Sequence, residues 1–282
     1  MGKVILESLQ KMSPSDFRSV VRKGEWTGIT LQSCKGEEIV DPAIVEVCKN
    51  HVLTDLVIIP REYAFEFLLF CNRNPRFCPI IAVTDPGDPE PKQVAPGADL
   101  RTDLPKYSVY RDGKLIDEPN DITGYWRDDL VAFLIGCFEN GCGLALEAAN
   151  IQFRWYGSYP ATFSCVPAGR IHGPMMVSVR AFKNAQEAVR AIQISSRHPL
   201  MHGPPIHIGD PAEIGITLGK PDPFHPEKPA VEPPKPGEVL LSFGCGLAGQ
   251  TAALESKIPL VITHNPCHQF LTDRLPEELA LL

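Results

Sequence analysis

No run in this 282-residue sequence is apolar for long enough to cross a bilayer as a helix. No Cys-x-x-Cys pair occurs among its nine cysteines, and their number is odd, so neither a metal-type spacing nor a closed disulfide framework is expected. Cys71, Cys78, Cys137 and Cys165 lie in apolar surroundings and read as reduced core thiols of an intracellular protein. No basic cluster is present, and 27 Lys and Arg against 34 Asp and Glu leave a net charge of −7. That balance excludes a face built to neutralise nucleic-acid phosphates. The first residues hold no apolar core of a secretion signal, and Leu6 stands where a myristoylation signal needs Ser or Thr. No internal repeat is visible. The expectation is a cytoplasmic protein with no membrane or nucleic-acid partner.

What is present is ordinary for a folded domain: 44% hydrophobic and 22% charged residues, enough to bury one large core or two modest ones. Ser13-Pro14-Ser15-Asp16 has a capping hydroxyl, a first-turn proline and an acid near the helix dipole, predicting a helix to Arg22 that stops at Gly24. Asp41-Pro42 predicts another, to about Asn50. Leu53–Ile59 reads as a buried strand, Arg61 to Pro75 as an apolar helix, and Cys78–Val83 as a second buried strand. Thr84 to Leu104 is a long loop. Arg111-Asp112-Gly113 joins Tyr107–Tyr110 to Lys114–Asp117 as a hairpin. Trp126–Gly136 and Leu144–Asn150 are expected to be helices. Gln152–Trp155, Ala161–Val166 and Pro174–Arg180 read as strands and Ala185–Ser195 as a helix, while the proline-rich Lys220–Gly237 reads as a surface connector. Helices alternating with buried strands predict an α/β fold: a helix-covered, mostly parallel sheet formed by 1–150 plus 200–282, with a smaller inserted α+β unit at 151–199.

The stretch Glu238–Asp273 is where chemistry is expected. A strand, Glu238–Phe243, feeds the glycine turn Gly244-Cys245-Gly246-Leu247-Ala248-Gly249. A helix from Gln250 and a strand, Pro259–Thr263, follow and end at His264 and His268. A strand entering a glycine turn and a helix start offers backbone N–H groups to a carboxylate or phosphate, and the two imidazoles would face the same crevice. The turn satisfies Gly-x-Gly-x-x-Gly, yet the next strand ends in Thr263-His264 without the acid a dinucleotide ribose needs, and too little chain follows for the rest of such a sheet. Cys245, beside a helix start, is either a thiol with a depressed pKa or a small buried residue. His202, His207, Asp210 and His264 are residue types that bind a divalent metal, although Pro266 keeps His264 and His268 off one helix face. Arg101 is either a carboxylate clamp or a pin for its own loop through Asp99 or Asp103.

The segments AFEFLLFCNRNPRFCPIIAVTDPGDPEP, APGADLRTDLPKYSVYRDGKL, WRDDLVAFLIGC, HGPPIHIGDPAEIGI and ITHNPCHQFLTD resemble the hydro-lyase family that includes D-glutamate cyclase, from about Gly24 to Asp273. The resemblance implies a two-part α/β architecture and, for the characterised branch, dehydration of D-glutamate to 5-oxo-D-proline. The chain differs from the family pattern at Phe138–Gly143, Gly157–Ser164 and Ala248-Gly249-Gln250. A changed substrate, or a protein that binds a small acid without turning it over, therefore stays open.

The resulting expectation is an enzyme that removes water from a small carboxylate-bearing substrate, with intramolecular cyclisation as one route. His207 and Asp210 form the expected acid–base pair and His264 the second proton donor. Gly246, Gly249, Gln250, Cys245, His268 and Arg101 are the expected substrate contacts. No cofactor is required, with a divalent metal on His202, His207, Asp210 and His264 as the alternative; self-association is the further partner considered.

Overall fold

The computed structural model describes residues 11–25, 50–218 and 232–281. Nearly all of the helix expected at Asp41–Asn50 and most of the Lys220–Gly237 connector lie outside them. Helix α1 (Pro14–Arg22) begins as its sequence predicts, Ser13 accepting the N–H of Asp16. Strand β1 (Leu53–Pro60) is buried along its whole length and leads into α2 (Arg61–Arg73) and β2 (Ile80–Val83). The hairpin β3 (Tyr107–Arg111) and β4 (Lys114–Asp117) turns at Asp112 and Gly113, both with positive φ. Strand β5 (Leu130–Gly136) follows, then α3 (Leu144–Ala148), β6 (Phe153–Ser164), β7 (Pro174–Phe182) and α4 (Ala185–Ser195). The chain ends through β8 (His207–Ile208), β9 (Val239–Gly244), α5 (Leu247–Glu255), β10 (Val261–His264) and β11 (Phe270–Leu271).

Two sheets result. The first has the order β2-β5-β1-β10-β3-β4, with β11 also on β1; the second runs β6-β7-β9-β8. The fold is α/β, but every pairing among the described residues is antiparallel, which corrects the expected parallel sheet. The reason is local. Strands β1 and β2, joined through α2, do run the same way, but β5 lies between them and opposes both.

Leu130–Gly136 is therefore a central strand rather than the second half of a helix. Its apolar run satisfies either geometry, and burial on both faces between β1 and β2 selects the strand. The second sheet takes β6 and β7 from 151–199 and adds β8 and β9 from beyond that segment.

Side chains alternate along β1, so Val57 and Ile59 enter a core shared with α2, α5 and the second sheet. Leu56 and Ile58 pack on the opposite face against the 94–109 segment. Asp55 belongs by this alternation to the Val57 face, at the strand end that meets the second sheet.

Candidate acid–base site

The glycine turn after β9, the start of β1 and the ends of β5 and β10 meet in one place. Asp55 is at the start of β1, with a side chain only 8% exposed. A Cβ on Gly246 would collide with Oδ2 of Asp55, so only glycine permits the turn to lie against this carboxyl. His264 ends β10, its Nε2 3.3 Å from Oδ1 of Asp55. The backbone N–H of Leu56 donates to Nδ1 of His264 at 3.1 Å, and Gln250 Nε2 is 3.1 Å from the same nitrogen. A backbone N–H can only donate, so Nδ1 is the acceptor and the imidazole proton sits on Nε2, facing Asp55.

Glu139 enters from the turn after β5. Its Oε1 accepts from Nη2 of Arg180 at 2.8 Å and its Oε2 from the Cys137 thiol at 3.0 Å. The Glu139 side chain is 41% exposed, making it the solvent-facing member of the group. The two carboxyls are driven apart. Burial pushes Asp55 up to about 8, and the charge of Glu139 adds to the rise. Burial also acts to raise Glu139, but the Arg180 guanidinium and the Cys137 thiol outweigh it and hold that carboxyl below its usual range. At neutral pH Asp55 keeps its proton and Glu139 does not.

The surrounding thiols are silent. Burial, then the charges of Glu139 and Asp55, pushes Cys137 well up. Burial and the Asp55 charge push Cys245 up to about 12. Of the two readings open for Cys245, the structure favours the small, partly buried residue over the depressed thiol: it lies near Asp55, 3.6 Å from Ser158 Oγ. The described cysteines are all free thiols.

Of the expected site residues, the structure brings together Cys245, Gly246, Gln250 and His264. The others are engaged elsewhere. His207 Nε2 contacts the backbone oxygen of Asp210 at 2.9 Å, while the Asp210 carboxylate caps a single turn by accepting from Ala212 N–H. That local interlocking occupies the expected acid–base pair. Arg101 grips Asp99 through Nε and Nη2, pinning its own loop. Gly249 makes room for the core, since a Cβ there would lie 2.8 Å from Cδ1 of Ile135. The N–H groups of Ala248 and Gly249 are taken by the oxygens of Cys245 and Gly246, so this turn offers a ligand less backbone than its sequence implies. His268 is buried against the oxygen of Pro266, and burial lowers its pKa.

The metal alternative loses its ligand set. His202 contacts the oxygen of Arg76, His207 that of Asp210, and His264 faces Asp55. Among the described residues no three His, Cys, Asp or Glu side chains are grouped to hold an ion. No helix among them is long and apolar enough to cross a membrane.

Asp55, Glu139 and Arg180 are the residues that sequence reasoning missed. The available signal was a lone acid inside an otherwise apolar strand, Leu53-Thr54-Asp55-Leu56-Val57, where a carboxyl has no structural reason to be buried.

Two neighbouring carboxyls, one buried and one half-exposed, pushed in opposite directions from the usual carboxylate range define a candidate acid–base site. Residues 131–273 match the family described as D-glutamate cyclase. A "Putative hydro-lyase" of Stutzerimonas stutzeri (strain A1501) is 41% identical over 98% of this chain and 99% of its own length. One from Bacillus licheniformis is 43% identical over 97% and 99%. "Putative hydro-lyase YcsI" of Bacillus subtilis (strain 168) is 42% identical over 96% and 100%. The chain belongs to the D-glutamate cyclase family.

Proposed function

We propose that this protein is a carbon–oxygen lyase that removes water from a small amino diacid, with the closure of D-glutamate to 5-oxo-D-proline as the candidate reaction. The observation that carries the proposal is the pair Asp55 and Glu139, a buried carboxyl against His264 and a half-exposed one held by Arg180, whose surroundings push them in opposite directions. Loss of water from an amine and a carboxylate needs both states at once: a base to take protons from nitrogen and an acid to give them to the departing oxygen.

In the cyclisation the amine nitrogen bonds to the side-chain carboxyl carbon, and a carbon–oxygen bond of that carboxyl breaks. Two protons leave the nitrogen in the course of the reaction, and two reach the oxygen that departs as water. Glu139 takes protons from nitrogen and exchanges them with solvent through its exposed face. Asp55 gives its one proton to the oxygen, Glu139 passes on to it one of the two taken from nitrogen, and the other returns through solvent to Asp55. His264, donating from Nε2 to Oδ1, keeps Asp55 oriented, and Gln250 with the Leu56 amide fixes the imidazole. No electrons change hands, so the balance closes without an oxidant or reductant.

The test is incubation with D-glutamate, L-glutamate and related amino diacids, followed by mass spectrometry for loss of one water. Turnover abolished by both Asp55→Asn and Glu139→Gln supports the reading. Turnover retained in both variants defeats it. Thermal stabilisation by an acid without any product would instead indicate a binding protein.

A further inference from the structure

Arg180 is the feature of this site whose burial has no ordinary structural excuse. It lies on β7, an interior strand of the second sheet, paired with Trp155 on one side and Leu241 on the other. It is 1% exposed. Its Nη2 donates to Glu139, yet Nε and Nη1 have no hydrogen-bond partner among the described residues. The guanidinium carbon lies 3.7 Å from the ring centre of Phe138, with Phe153 at 5.3 Å and Phe243 at 5.6 Å. A structural arginine normally spends all its donors. Here aromatic faces replace solvent, and the whole charge is directed at one carboxylate.

We propose that Arg180 is a positioning residue of the reaction, acting through Glu139 by fixing its orientation and keeping it ionised as the base. This rests on the acid–base reading above. The groups facing Glu139 come from every element around it: Asp55 from β1, Cys137 from the turn after β5, Cys142 from its own turn, Arg180 from β7, His202 from the segment after α4, and Cys245 from the turn after β9. Burial lowers His202 to about 4, so it is neutral near pH 7. The thiols are raised and neutral. Among these described residues Arg180 is the one permanent cation. Aromatic rings rather than water surround the guanidinium, so its charge is screened less than that of a surface arginine.

The consequence is a division of labour between the sheets. The first sheet supplies the acid, Asp55, and its orienter, His264. The second sheet supplies the cation that lets a neighbouring carboxyl stay charged beside it. A base held this way is ionised before substrate arrives.

The experiment follows the carboxyl carbons of selectively labelled protein by NMR through a pH titration, with the Glu139 signal identified by its loss in Glu139→Gln. The variants are Arg180→Gln, which keeps a donor and removes the charge, and Arg180→Lys, which keeps the charge. The Glu139 titration should move up at least tenfold in proton affinity in Arg180→Gln and return towards the native value in Arg180→Lys. The acidic limb of the D-glutamate rate profile should move with it, which a merely structural role would not cause. An unchanged Glu139 titration in Arg180→Gln overturns the proposal.

Should Arg180→Gln fail to fold, the double variant Arg180→Gln/Glu139→Gln, which leaves no unpaired charge, decides the matter. The Asp55 titration should coincide in Glu139→Gln and in the double variant, because Arg180 acts only through Glu139. A difference between them overturns the proposal. Neither titration needs turnover, so failure here is distinct from failure of the lyase reading, which activity in Asp55→Asn and Glu139→Gln would reveal.

Discussion

Replacing Asp55 with Asn should make the protein more stable while removing its chemistry, and the gain should depend on pH in a defined direction. Asp55 rises from an ordinary 3.8 to about 8 on folding, through burial and then the charge of Glu139. The folded state thus holds this proton more tightly than the unfolded chain does. The stability linked to that proton is complete below pH 3.8 and drains away as pH climbs through about 8. At about 1.4 kcal/mol per pH unit, the loss is about 1–2 kcal/mol at pH 5 and about 4 kcal/mol at pH 7.

Asn resembles the neutral carboxyl in shape, can still accept from His264, and does not titrate. Its advantage over the native residue should therefore grow by about 2–3 kcal/mol between pH 5 and pH 7. Urea unfolding of both proteins at pH 5, 7 and 9 measures this directly. In a Glu139→Gln background the advantage should shrink, because the second cause of the raised pKa is gone. A stability difference that stays constant with pH would refute the reasoning, whatever its sign. The same variant should lose turnover, since the group that destabilises the fold is the one that gives the proton.

Three further outcomes follow from the geometry. Glu139→Gln removes the base and should lower turnover of D-glutamate by about 100-fold or more while the fold persists, read by initial rates beside circular dichroism. Gly246→Ala drives a methyl into Oδ2 of Asp55; it should cost about 1–3 kcal/mol in unfolding experiments and displace the acid enough to abolish activity. His207→Asn touches only its own turn and should leave turnover near native; a loss comparable to that of Glu139→Gln would return His207 to the site.

Gly244–Gly249 illustrates how far local sequence carries. The strand ending at His264 lies where its residues predict, but the helix begins at Leu247 rather than Gln250 and takes in the second half of the expected turn. Two of the amides that the turn was expected to offer are used inside it. The glycines serve two different neighbours, Gly246 the carboxyl of Asp55 and Gly249 the side chain of Ile135. Spacing identifies a close approach; it does not say what approaches.

The helix start at Ser13, the α2 segment closed by Pro75, the Asp112-Gly113 hairpin and the membership of the family were all readable from the chain alone. Each depends on chemistry within a few residues, or on long matched segments. Tertiary structure decided the rest. It placed β5 between two strands that run the same way, turning an apparent helix into a central strand and a parallel sheet into an antiparallel one. It also brought Asp55, Glu139 and Arg180 together from positions 55, 139 and 180, giving each carboxyl its protonation state. A carboxyl's charge in a protein is set by what surrounds it, and those surroundings come from strands far apart in the chain.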